Sequence, residues 1–198
     1  MVSFPHSKIA RLESSVPSHR TFSTPHIDRQ RASHAAADGY GRHRHLYLHD
    51  TMRAFAKQLR TADGTAPTWL DYGCGKGGFI AQIEPMGMFG TIAGYDPAVR
   101  SYNRKPEGTF DLVTCLHVID VVEPRFLDAV LDDIVACTDG VALFDVLTRP
   151  AGPTTLRPHP PEYWTALVGR RMRVLDTTVV FPEIDGFERA IITAARPA

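Results

Sequence analysis

The stretch Trp69-Leu70-Asp71-Tyr72-Gly73-Cys74-Gly75-Lys76-Gly77-Gly78 constrains this chain more than any other. Thr68 to Leu70 read as the end of a buried strand, and Phe79 to Ile83 as the opening of a helix. Between them, glycines allow a sharp turn and let backbone amides approach a ligand that a Cβ would exclude. Such a strand–turn–helix unit places its ligand at the carboxyl end of a parallel α/β sheet. The spacing alone is ambiguous, because Gly73, Gly75 and Gly78 also fit the dinucleotide pattern G-x-G-x-x-G. Asp71 tips the choice. A carboxylate just before the turn repels a pyrophosphate but suits a ligand that carries an ammonium and a sulfonium.

A second segment falls in register with the first. Thr91-Ile92-Ala93-Gly94-Tyr95-Asp96-Pro97 predicts a short strand ending in Asp96, 23 residues after Gly73. An acid there can accept hydrogen bonds from both ribose hydroxyls of an adenosine. An ordinary tight βα turn would need neither acid. Together the two acids and the glycine turn point to S-adenosylmethionine.

On these residues the chain resembles a class I S-adenosylmethionine-dependent methyltransferase. It is most similar to a poorly characterised bacterial group of small methyltransferases with an Asp-Tyr-Gly-Cys-Gly-Lys-Gly motif and a Tyr-Asp-Pro second strand. The similarity runs from about Tyr40 to the C-terminus and includes Phe110 to Cys115, Glu123 to Leu131 and Pro160 to Trp164. It implies a Rossmann-like α/β sheet and the cofactor S-adenosylmethionine. The expected cofactor contacts are Asp71, Gly73, Cys74, Gly75, Asp96, Pro97, Leu116, His117 and His45.

The chain departs from the family plan in one place. Between Asp96 and Phe110 lie thirteen residues, including Pro97, Pro106 and Gly108, where a helix and a third strand normally fit. The prolines and the short span predict a sheet whose third strand is reduced or missing. The wall of the adenine pocket must then be rebuilt, with Tyr102 or Pro97 as candidates.

Elsewhere periodicity predicts helices over about 26–37 and 44–61, then strand 110–115 and a helix at 124–136. Strand 140–146, a helix at 161–168 and closing strands at 172–181 and 187–195 follow. The expected organisation is an unstructured arm over 1–25, an N-terminal helical lid over 26–61 and the cofactor-binding domain over 62–198. Within the arm and lid, residues 1–60 hold ten Lys or Arg against four acids, and seven of the nine histidines. Either this is a solvated arm, or it attracts an anionic small-molecule substrate. No aromatic-interleaved basic stripe points to nucleic acid. No apolar run reaches the roughly 20 residues of a membrane span, and residues 1–20 lack a signal-peptide centre. Three cysteines without a C-x-x-C pair suggest reduced thiols in the cytoplasm. The chain is expected to be a monomer or a homodimer.

The segment after strand 110–115 should face the reacting methyl. There His117 is the candidate general base, with Asp120 beside it and Tyr40 as a further catalytic candidate from the lid. The alternative for His117 is plain packing against the cofactor. The related group has a different polar pattern here, so no catalytic role carries over from it. His45 and His49, four residues apart on one helix face, could bind zinc. No third ligand has suitable spacing, so no metal is expected. Tyr163 and Trp164 read as core anchors or as an aromatic substrate wall. Three functions remain in view. The first is methyl transfer to a small molecule. The second is a cyclase or lyase that attacks the aminobutyrate arm and releases methylthioadenosine. The third is an inactive cofactor-binding subunit.

Overall fold

Six strands form one sheet in the order β2-β1-β3-β4-β6-β5. They are β1 (Thr68–Tyr72), β2 (Thr91–Tyr95), β3 (Phe110–Leu116), β4 (Thr138–Leu147), β5 (Arg173–Val180) and β6 (Arg189–Ala195). The computed structural model describes residues 21–36, 45–149, 158–181 and 187–197. β1 to β4 run parallel, while β6 is antiparallel to both β4 and β5. Helices α1 (Thr24–Ala36), α2 (His49–Gln58), α3 (Ile80–Ile83), α4 (Leu127–Cys137) and α5 (Pro161–Gly169) complete the α/β architecture.

The missing third strand is a property of the structure: among the described residues, β2 ends the sheet. The chain must still step from β2 over β1 to reach β3. Fourteen residues, 96–109, do this, and their extended reach of about 46 Å exceeds what the path needs. Two strand spacings of about 4.8 Å and a return of roughly 20 Å along the sheet suffice. No crossover helix is required. The connection is instead pinned to α4 by the Lys105–Asp133 ion pair, and Tyr72 Oη donates to the same Asp133 at 2.8 Å.

Two apolar clusters sandwich the sheet. One collects Leu70, Val113, Phe144, Ile192, Trp164 and the inner face of α4; the other collects Trp69, Leu112, Leu143, Phe79 and Met52 of α2. Alternate residues of each parallel strand therefore serve opposite faces, which is why β1, β3 and β4 read as near-continuous apolar runs. Cys74, Cys115 and Cys137 are free and buried, as expected.

Two expectations change at the N-terminal side. The unstructured arm was expected to reach residue 25, yet Thr21 and Phe22 are buried and α1 begins at Thr24. Ser23 accounts for the earlier start. Its Oγ accepts the His26 amide at 3.1 Å, as an N-cap does, and its own amide donates to Glu123 Oε2 at 3.3 Å. The single helix expected over 44–61 is a 3-10 turn at Leu46–Leu48 followed by the shorter α2.

Candidate active site

The glycine turn sits at the carboxyl end of β1 and is held from the side by β2. The amides of Gly73 and Cys74 both donate to Tyr95 O, at 2.7 and 3.1 Å. Gly73 has φ 82, and a Cβ there would collide with Val118 Cγ2, so both conformation and space demand glycine. Asp96 closes the turn: its Oδ2 accepts the Gly75 amide at 3.0 Å and its Oδ1 the Ala98 amide at 2.9 Å. The carboxylate is thus fixed in place while keeping lone pairs for a ligand's hydroxyls.

Asp71 lies beneath the turn, 3% exposed. Thr114 Oγ1 donates to its Oδ1 at 2.7 Å, and Trp69 Nε1 in turn donates to Thr114 Oγ1 at 2.9 Å. Burial outweighs that hydrogen bond and pushes the Asp71 carboxyl up to about 7. An ammonium brought beside it would restore the charged form.

The other end of the site is made from side chains. His117 follows β3 with a left-handed φ of 57, and His45 precedes the 3-10 turn at φ 39. These are the non-glycine residues of positive φ among the described residues, and their rings stack with centroids 5.4 Å apart. Strained backbone of this kind persists only where surrounding structure imposes it, and it gathers at functional sites. Here both rings approach the fully buried Asp145 of β4. Its backbone carbonyl accepts the His117 amide at 2.8 Å, and its Oδ2 lies 3.3 Å from His117 Nε2 and 3.9 Å from His45 Nδ1. Tyr47 Oη donates to the same oxygen, and Arg189 Nη1 approaches to 3.7 Å. Arg189 reaches this point because β6 pairs antiparallel with β4, setting it opposite Leu147.

Charge follows from this packing. Burial alone would lower the His117 pKa, but the negative charge of Asp145, joined by Asp120, outweighs it and raises the imidazole to about 9. Burial opposes ionisation of Asp145, yet His117 and Arg189 hold its carboxyl below the usual range. Asp120 is 2% exposed; its Oδ2 accepts the Leu147 amide at 3.2 Å, while its Oδ1 has no partner among the described residues.

A cavity of about 340 Å³ connects the two ends. Asp71, Gly73, Cys74, Gly75, Asp96, Pro97, Leu116, His117, His45 and Asp120 all line it. Sequence reasoning named each of these. Tyr40, with Arg42 and Arg44, lies outside the described residues. Tyr102 does not line the cavity. It packs behind the turn, against the space where Gly77 and Gly94 would carry side chains. Phe22, His26, Ile27 and Gln30, from α1 and the residue pair before it, line the cavity beside Pro97, the other candidate. His49 leaves His45 and meets Gln82 Oε1 at 3.2 Å. Trp164 is buried in the core, and Tyr163 is 39% exposed against His159, so neither walls the site.

Asp145, Arg189 and Tyr47 were missed. Asp145 could have been found, because it lies near the carboxyl end of the parallel strand next to β3, where ligands bind. Arg189 carries no such signal, since its place depends on the register of an antiparallel strand that joins the sheet last.

Residues 40–178 match the methyltransferase domain family. The chain belongs to that family. Solved structures agree on the fold. A 1,6-didemethyltoxoflavin-N1-methyltransferase from Burkholderia thailandensis, bound to 1,6-didemethyltoxoflavin and S-adenosylhomocysteine, superposes with TM-score 0.61 at 16% identity, covering 99% of this chain and 100% of that one. The N-methyltransferase NodS from Bradyrhizobium japonicum, with S-adenosylhomocysteine, gives 0.56 at 14% identity over 90% and 100% of the two chains. Magnesium protoporphyrin IX methyltransferase from Synechocystis, with S-adenosylmethionine, gives 0.59 at 17% identity over 87% and 97%. No protein of curated function matches this chain in sequence. The class I methyltransferase fold expected from the glycine turn is therefore the fold of this protein.

Proposed function

We propose that the protein moves the sulfonium methyl group of S-adenosylmethionine to a small-molecule acceptor. The observation that carries this reading is one cavity joining the acid-flanked glycine turn to the corner made by half-buried His117 and buried Asp120. Asp71 fits the ammonium of the methionine part, and the cradle at Gly73, which a side chain would fill, fits its backbone approach. Asp96 fits the ribose hydroxyls. Phe22, His26 and Ile27 supply an adenine-side wall in place of the missing strand. The neighbours bound to S-adenosylhomocysteine or S-adenosylmethionine support the same cofactor, and the 1,6-didemethyltoxoflavin and magnesium protoporphyrin IX named for two of them support a small-molecule acceptor.

In the transfer, a lone pair of the acceptor attacks the methyl carbon as the carbon–sulfur bond breaks, and the sulfur keeps the bonding pair as S-adenosylhomocysteine forms. Holding the acceptor in line and excluding water supply most of the acceleration. The residues then divide the work. His117, whose imidazole is held up at about 9 by Asp145 and Asp120, orients the corner. Asp120 Oδ1, buried and without a partner among the described residues, is the acceptor for the N–H or O–H of the incoming group. The segment around α1 acts as a lid over the cofactor, with Tyr40 in the stretch that follows it. Incubating the purified protein with S-adenosylmethionine and acceptor candidates, then identifying the nucleoside by mass spectrometry, tests the reading. S-adenosylhomocysteine is expected. Methylthioadenosine would replace the proposal with attack on the aminobutyrate arm.

A further inference from the structure

Four side chains from three distant parts of the chain converge on one oxygen, Asp145 Oδ2: His45, Tyr47, His117 and Arg189. The carboxylate's other oxygen has no partner among the described residues. We infer that His45 Nδ1, His117 Nε2 and Asp145 Oδ2 form a binding site for a divalent first-row transition metal, of the zinc(II) or iron(II) kind. One ligand atom from each of the three residues lies within 4.8 Å of the other two. Bonds of about 2.0–2.1 Å to a four-coordinate metal separate ligand atoms by about 3.3 Å. The His117–Asp145 pair already stands at 3.3 Å, and the His45–Asp145 pair at 3.9 Å needs only a small closure.

The surroundings favour a cation in three further ways. Two imidazoles and one carboxylate are the donor set that suits zinc(II) and iron(II) rather than magnesium or calcium. Asp120 Oδ2 lies 3.7 Å from His117 Nδ1, on the ring nitrogen where metal-bound histidines keep a carboxylate partner. Arg189 Nη1 now rests against His117 Nε2 and 3.7 Å from Asp145 Oδ2, so the point of convergence already holds one positive charge, whose place a metal would take. Metal binding displaces that guanidinium from His117 Nε2 and turns the Tyr47 hydroxyl away from Asp145 Oδ2 and His45 Nδ1. His45 and His117 also line the cavity, so an acceptor there would have access to the site. A metal there would polarise an acceptor oxygen or nitrogen as a Lewis acid. The strained left-handed histidines find a reason in this arrangement, because their backbone geometry is what aims both rings at one point.

The site escaped sequence reasoning because local spacing paired His45 with His49. The fold instead pairs His45 with residues 72 and 100 positions away.

Titration of the full chain with cobalt(II), read by the visible absorption of four-coordinate cobalt, tests the inference independently of methyl transfer. The expected result is saturation at about one equivalent, displacement by zinc(II), and loss of the band in His45→Gln and Asp145→Asn. Binding of S-adenosylhomocysteine reports whether each variant has folded. Should Asp145→Asn fail to fold, His45→Gln decides, because His45 stands outside the sheet. Arg189→Met should bind cobalt at least as tightly as the unaltered protein. Absence of the band in both the unaltered protein and Arg189→Met would overturn the site. So would a band of full strength in folded His45→Gln.

Discussion

The two ends of the cavity are built by opposite means. At the cofactor end, backbone does the shaping: glycines turn, amides of Gly73 and Cys74 lock to Tyr95, and Asp96 is clamped by two further amides. At the reaction end, backbone is strained to serve side chains, and His45, His117, Asp145 and Arg189 meet from separate elements. A backbone-built site tolerates change in its non-glycine side chains and resists change in its glycines. A site built from paired buried charges behaves the other way, since removing one partner strands the others.

The sharpest way to break this contrast is Asp145→Ala. It leaves Arg189 and His117 in a buried site without their shared counter-charge, so stability should fall by about 3–5 kcal/mol. Denaturant unfolding measures it, and a loss within error of zero would mean that water or another group satisfies the pair. At the other end, Asp96→Ala should cost about 1–3 kcal/mol of cofactor binding, by loss of hydrogen bonds to a charged acceptor. Calorimetric titration with S-adenosylhomocysteine reads this, and an unchanged Kd would move the ribose contact elsewhere.

A pH series sharpens the comparison. Asp71 has a folded pKa of about 7 against an ordinary 3.8, so folding takes up a proton across that window. Its contribution is fully present below 3.8 and is lost as pH rises toward 7. His117, raised from 6.5 to about 9, contributes in the same sense, with stability present below 6.5 and lost through 9. The free protein should therefore weaken as pH climbs. If the cofactor's ammonium pairs with Asp71, the rise in Tm given by S-adenosylhomocysteine should grow over the same range. A rise that stays flat with pH would show that the ammonium binds elsewhere. The smallest effect is expected from His49→Ala. His49 faces Gln82 rather than the cluster, so stability should move by about 0.5 kcal/mol or less and turnover should hold. A collapse of turnover would place His49 in the site after all.

The same contrast explains what could be read in advance. The cofactor end is contiguous in sequence: ten residues carry the turn, and Asp96 follows at a fixed distance because β2 must pair beside β1. The missing strand was legible too, since thirteen residues with two prolines cannot hold a helix and a strand. Tyr102 misled because its chain position beside Asp96 says nothing of which side of the turn it occupies. The reaction end was only half legible. His117 and Asp120 follow β3 directly, but Asp145 and Arg189 join them through sheet register, which no local pattern records.

The absent third strand also has a colloidal consequence. A normal sheet of this type hides β2 in its interior, whereas here its outer amides and carbonyls form an edge among the described residues. An open edge is a template for pairing with another chain. This one is only five residues long and contains Gly94, so it makes a poor template and limits growth by stacking. The short crossover thus bares a strand that offers a partner only five residues to pair with.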